Sequence, residues 1–157
     1  MRRKERAVTN QAEILDILAR CEVMRLGLCA EGKPYVVPMH FGVENADGGM
    51  SIYFHCAPQG RKMDMLAQNA SACFEADCNV SIIPHEEACH WTATYESVIG
   101  EGVVSVVDDC ADKAYALDLI MRKYGFQGAP MYSEAALGRV CVLRLDVQTV
   151  CGKRNLR

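Results

Sequence analysis

The order of apolar and polar positions divides the chain into short segments of two kinds. Ile14, Leu15, Ile17 and Leu18 recur at helical spacing behind Asn10, which can cap a helix, and Glu13 completes a capping box. That helix is expected to end near Cys21. Val23–Ala30 then alternates as a strand, Glu31–Lys33 reads as a turn, and Pro34–Val43 as a second strand, which makes a hairpin. Pro38 cannot donate to a ladder, so the second strand is either an edge or bulged. Asn45–Gly49, reading NADGG, is a turn signal.

Tyr53–Asn69 is the stretch around which the chain is organised. Ser51–Cys56 has strand alternation, with Ile52 and Phe54 on one face and Tyr53 and His55 on the other. Ala57–Gly60 breaks it. Met63, Leu66, Ala67 and Ala70 then mark the apolar face of a helix over Arg61–Asn69. Arg61 and Lys62 fall in its first turn, where cations oppose the helix dipole at a cost of about 0.3–1 kcal/mol each. Either these are two solvated charges, or an anion such as a phosphate sits on the free N–H groups between them.

The second half repeats the strand signal. Ser71–Cys78 is a strand, Pro84–His90 a polar loop, and Thr92–Val107 a long β-branched strand bent at Gly100 and Gly102. Asp108 or Asp109 caps a helix with Cys110, Ala114, Leu117, Met121 and Tyr124 on one face, ended by Gly125. Phe126–Leu137 reads as an irregular loop. Gly138–Val150 closes as a strand in which Cys141, Leu143, Leu145 and Val147 alternate with Arg144 and Asp146. Some six strands, mostly joined by hairpins, predict a mainly β protein: an antiparallel barrel with packed helices.

Composition narrows the function. The 157 residues fit one domain, 1–157, with 1–8 as a flexible arm, and the hydrophobic half of the chain suffices for a core. A net charge of −3 excludes a general nucleic-acid binder. No signal peptide is visible, and no apolar run approaches the ~18 residues of a membrane span. Nine cysteines without a CxxC read as small buried hydrophobes of a reducing cytoplasm. His85 and His90 resemble a zinc-protease pair but are five residues apart, about 140° out of line on a helix. No metal site is therefore expected.

Four pieces occur together and in order: YVVPMHF at 35–41, YFHCAPQGRK at 53–62, YESVIGEG at 95–102 and CGKR at 151–154. The set resembles the flavin-binding split-barrel superfamily of pyridoxamine phosphate oxidases, and within it the nitroimidazole-resistance branch. The resemblance spans roughly Glu13 to Arg154. It implies a six-stranded antiparallel split β-barrel, a homodimer, and FMN held between subunits. It places the phosphate on Arg61, Lys62 and Ser97, and adds Tyr95 and the C-terminal basic residue Lys153 to the cofactor site. It places Val37, Pro38, Met39 and His40 along the flavin ring, with His55 and Cys56 at the strand end. Two departures stand out: Cys56 replaces the usual serine, and Glu96 stands where arginine is common, either facing the phosphate and repelling it or pointing away.

The function implied is an FMN-dependent oxidoreductase reducing a small organic acceptor, such as a nitro compound. His40 is the candidate proton donor, with a packing role as the alternative. A non-enzymatic flavin- or haem-binding module and an empty dimeric barrel are the competing readings. Trp91 belongs either to the dimer or ring pocket or to an ordinary core.

Overall fold

A computed structural model describes residues 3–46 and 49–156. The strands are β1 (Ala7–Val8), β2 (Met24–Ala30), β3 (Lys33–Met39), β4 (Phe41–Ala46), β5 (Gly49–Cys56), β6 (Ser71–Ile83), β7 (Thr92–Val107) and β8 (Cys141–Asn155). The helices are α1 (Gln11–Arg20), α2 (Arg61–Gln68), α3 (Cys110–Lys123) and α4 (Glu134–Leu137). All pairings are antiparallel, in the order β3-β2-β6-β7-β8-β5-β4, with β1 added to β8.

The two ends of that order are neighbours in sequence. Only His40 separates β3, which pairs with β2, from β4, which pairs with β5. One ribbon thus joins both edges of the sheet and closes it into the split barrel. The expected six strands become eight because this ribbon changes partner at Met39–Phe41 and because β1 adds a two-residue strand. Residues 7 and 8, expected in a flexible arm, pair with Lys153 and Gly152, and Val8 is buried.

Barrel closure follows from the alternation. Met24, Leu26, Phe41, Ile52, Phe54, Phe74, Val98, Leu143 and Leu145 all point inward and are fully buried. α1 contributes Ile14, Ile17 and Leu18 to the same core. Asn10 caps it through Oδ1, which accepts from the amides of Ala12 and Glu13, whereas Glu13 instead accepts from Arg154. Only half of the capping box forms. α3 covers a smaller cluster of Tyr53, Ala116 and Val142.

Helix faces were less legible than helix positions. α2 buries Met65 and half-buries Met63 and Leu66, leaving Ala67 exposed. α3 buries Ala116 and Ile120, while Cys110 and Met121 face solvent. In both, the buried stripe lies off the one drawn from the spacing. α4, capped by Ser133, occupies the end of the expected 126–137 loop. β6 continues to Ile83, well beyond Cys78, and β8 begins at Cys141 and runs past Val150 to Asn155. The NADGG turn falls partly on residues 47–48, outside the described residues; Asn45 and Ala46 belong to β4 and Gly49 to β5.

Two sequence signals acquire physical causes. Gly102 faces Val147 while Glu101 faces Thr149, so β8 bulges there. A Cβ on Gly100 would fall 2.5 Å from the Thr149 carbonyl and the Phe74 ring, so close approach, as well as bending, requires glycine. Pro38 lies on β3, whose register with β2 is unbroken, so the edge reading is the one realised. Among the described residues the far side of β3 pairs with no strand.

Candidate functional site

The partner change at His40 gathers the first group of expected site residues. Phe41 is opposite Phe54, so His40 and His55 are the next pair along the ribbon. Cys56 is opposite Cys141 on β8. The chain then leaves β5 through Ala57–Gly60 and enters α2. Gly60 adopts φ +123°, a conformation that side chains disfavour, and no side chain caps the helix. The α2 start therefore returns toward the end of β3.

Arg61 and Lys62 diverge from that start. The Arg61 guanidinium lies 4.5 Å above the Tyr35 ring. The Lys62 ammonium lies 3.5 Å from Met39 Sδ. Met39 is buried, and His40 is exposed with its ring 4.7 Å from Tyr124. Cys56 Sγ is 3.9 Å from Met63 Sδ. Burial lowers the His55 pKa below its ordinary 6.5, and nearby His40 and Lys62 lower it further by repulsion. Val37 is half-buried and Pro38 exposed on the same strand.

The second group lies on the outer side of the sheet. Ser97 on β7 is directly opposite Lys153 on β8. The Lys153 ammonium rests 5.3 Å from the Tyr95 ring centre, and its hydrogen bond, with help from Arg6, lowers the Tyr95 phenol pKa. No contact described here joins this group to the first. A cleft of about 470 Å³ on the outer face, lined by Tyr35, Val36, Cys73 and Glu101 among others, contains none of the expected site residues.

The cations of the expected site differ in their surroundings from the paired arginines. Arg20, Arg25, Arg144 and Arg154 are each ion-paired. Arg61, Lys62 and Lys153 have no carboxylate partner among the described residues; they rest instead on a phenol ring, a thioether and a second phenol ring. Such soft surfaces neutralise no charge, so all three remain available to an anion.

The sequence model of the pyridoxamine 5'-phosphate oxidase family matches residues 10–154. The chain belongs to this family. Among solved structures, a candidate 5-nitroimidazole antibiotic resistance protein from Bacteroides thetaiotaomicron VPI-5482 is 31% identical, with 94% of this chain and 86% of that chain covered and a TM-score of 0.82. The flavocytochrome Anf3 from Azotobacter vinelandii (19% identity, 100% and 72% covered, TM-score 0.81) shares the fold. So does an FAD and haem binding protein from Mycobacterium smegmatis (18% identity, 97% and 74% covered, TM-score 0.81). Among curated protein sequences, none matches.

The departure at Glu96 has a structural explanation. Ser97 faces outward, so Glu96 faces the barrel interior and is 5% exposed. There it accepts hydrogen bonds from Arg20 and, at 2.7 Å, from Asn79. Arg154 Nε lies 3.1 Å from its other oxygen, at an angle that forms an ion pair but not a hydrogen bond. The Arg20 hydrogen bond, then Asn79 and the two guanidinium charges, hold the Glu96 carboxyl below its ordinary 4.5. Glu96 thus points away from the Ser97 face and cannot repel an anion bound there.

Sequence reasoning missed Tyr35 and Tyr124. Tyr35 opens the YVVPMHF piece but is singled out only by the stacked Arg61. Tyr124 accepts from the Phe41 amide and donates to the Glu22 carbonyl, which fixes the ribbon beside His40. No local pattern signals that role, because 83 residues separate Tyr124 from Phe41. Cys56, in the position where serine is usual, offers a weak thiol donor next to Met63. All nine cysteines are free, as expected, but Cys29, Cys73, Cys89, Cys110 and Cys151 are exposed rather than in the core. Trp91 is also exposed, its indole N–H donating to the His85 carbonyl. No helix among the described residues is long and apolar enough to cross a membrane.

Proposed function

We propose that this protein binds FMN and is an oxidoreductase that uses it to reduce a small organic acceptor, with nitro compounds as the favoured class. The observation that carries the reading is the pair of adjacent cations, Arg61 and Lys62, at an uncapped helix start and without carboxylate partners, at the positions the resemblance assigns to the phosphate. An uncapped helix start flanked by Arg61 and Lys62 suits a dianion. The unpaired edge of β3 from Val37 to Met39, with His40 just beyond it, offers backbone groups to a flat ring system. When bound, the flavin supplies the redox chemistry, and the chain binds and orients it.

His40 is exposed beside this edge, where it can pass a proton to the reduced acceptor. The 31% identical relative and its printed description support the nitro class. The cytoplasm, with its reduced thiols, is the matching compartment. Purified protein is expected to show the near-ultraviolet and visible bands of oxidised flavin, bleached by a chemical reductant and restored by a nitroimidazole. A Soret band would instead favour a haem-binding module, and neither signal an empty barrel.

The separation of the two residue groups supports a homodimer. One copy's β7–β8 face, with Tyr95, Ser97 and Lys153, would complete the α2 corner of the other. The outer sheet face carries exposed Val36, Ile99 and Val103, and the projecting β6–β7 arm exposes Val80, Ile82 and Trp91. Isolated residues of this kind are ordinary, but a contiguous apolar face marks an interface. Light scattering is expected to return twice the 17.4 kDa chain mass at micromolar concentration. A monomer would remove the shared site. The interface buries more than ~2,000 Å² in total, as in obligate dimers.

A further inference from the structure

The loop between β6 and β7 brings together donors that the sequence places out of line. Their helical mismatch is irrelevant, because 84–91 is not an α-helix. A single 3₁₀ turn at Ala88–His90 reverses the chain. The His85 ring then meets the His90 ring edge-on, with centres 4.8 Å apart. Glu87, Cys89 and His90 present one ligand atom each, all within 4.8 Å of one another. His90 Nδ1 is 3.2 Å and Cys89 Sγ 3.8 Å from Glu87 Oε2.

We propose that Glu87, Cys89 and His90 form a binding site for a borderline divalent cation of the zinc class. The spacings place all three donors within reach of one ion. Zinc bonds of ~2.0–2.1 Å to nitrogen and oxygen and ~2.3 Å to sulfur hold neighbouring tetrahedral donors about 3.3–3.7 Å apart. The observed 3.2 and 3.8 Å lie within about 0.3 Å of that range, and Cys89 Sγ and His90 Nδ1, within 4.8 Å of each other, close on the ion by rotation of exposed side chains. The donor set also selects the ion. A thiolate and an imidazole favour zinc over magnesium or calcium, which take oxygen ligands. A fourth position stays open to water.

The loop is held in this shape before any ion arrives. The Glu87 amide donates to His85 Nδ1 at 3.1 Å, the His90 amide to the Glu87 carbonyl at 3.0 Å, and the Trp91 indole to the His85 carbonyl at 2.7 Å. His85 is therefore a positioning residue, since its Nδ1 lone pair is already engaged. All the donors are exposed on the single chain. The site makes no use of the flavin reading and stands or falls apart from it.

The test is titration of tag-free, reduced full-length protein with Zn²⁺ alone by calorimetry, and with Co²⁺ alone by absorption. One equivalent of Zn²⁺ is expected at micromolar protein, with a thiolate-to-Co²⁺ charge-transfer band. Cys89→Ser and His90→Ala are each expected to weaken binding by more than about a hundredfold, beyond the 10–100-fold loss typical of an outer partner. Cys110→Ser, an exposed thiol elsewhere, should leave binding unchanged. Circular dichroism of each variant reports folding, which substitutions on this exposed loop should preserve. No stoichiometric binding, or binding that survives both Cys89→Ser and His90→Ala, overturns the site.

Discussion

Replacing Arg61 and Lys62 together by alanine is expected to weaken FMN binding at least about a hundredfold while leaving riboflavin affinity nearly unchanged. Each charge-assisted hydrogen bond to the phosphate contributes roughly 1.5–3 kcal/mol, and 1.4 kcal/mol is tenfold in affinity. Riboflavin lacks the phosphate and loses neither bond. The apo protein should keep its stability, because two small effects oppose each other. Removing the cations relieves an unfavourable dipole interaction of about 0.3–1 kcal/mol each. It also removes the Arg61–Tyr35 stacking, worth about 0.5–1 kcal/mol at an exposed site. Fluorescence titration with both flavins, alongside thermal melts, separates the outcomes. Normal FMN binding by the double variant, or equal loss of FMN and riboflavin, would refute the phosphate assignment.

The second large effect is on stability and lies at Glu96. Glu96→Gln is expected to destabilise the protein by about 2–3 kcal/mol at neutral pH. Removing one partner of a fully buried pair costs about 3–5 kcal/mol, and this pair is partly screened. The carboxylate is 7% exposed, but the Arg20 and Arg154 side chains are 35% and 28% exposed. For a chain of this size the melting temperature should fall by roughly 5–10 °C.

The pH dependence has a definite sign. The folded Glu96 pKa is depressed, so the stabilisation is present above the ordinary value of 4.5 and is lost as the pH falls through the lower, folded value. The gap between wild type and Glu96→Gln should therefore be full at pH 7 and close in acid. A pH-independent gap would mean that the variant acts through packing alone. Glu96→Arg, which would tighten FMN if residue 96 faced the phosphate, should instead unfold the protein by burying a third guanidinium beside Arg20 and Arg154.

Most element positions and the fold class follow from short-range patterns in the chain. Alternation over Ser51–Cys56 and Thr92–Val107, caps at Asn10 and Asp109, and Gly125 at the end of α3 are local signals, and local chemistry sets them. The four ordered pieces identified the family for the same reason: each is contiguous. Arg61 and Lys62 could be assigned to a helix start because a breaker and an amphipathic run adjoin them.

Features that depend on distant partners emerge only once the sheet has closed. The ribbon through His40 reads as one strand, and its change of partner becomes visible only when the sheet closes. The faces of α2 and α3 follow the surfaces they cover, so Met65, Ala116 and Ile120 are buried against a barrel that spacing alone does not reveal. Glu96 looked like a liability beside Ser97, since one residue of offset decides which side of a strand a charge takes. Its partners Arg20 and Arg154 lie 76 and 58 residues away. Glu87, Cys89 and His90 are drawn together by a 3₁₀ turn at Ala88–His90, a local conformation that the spacing of their residues does not specify. In each case the determining contact is nonlocal, or depends on a backbone conformation that residue pattern does not encode.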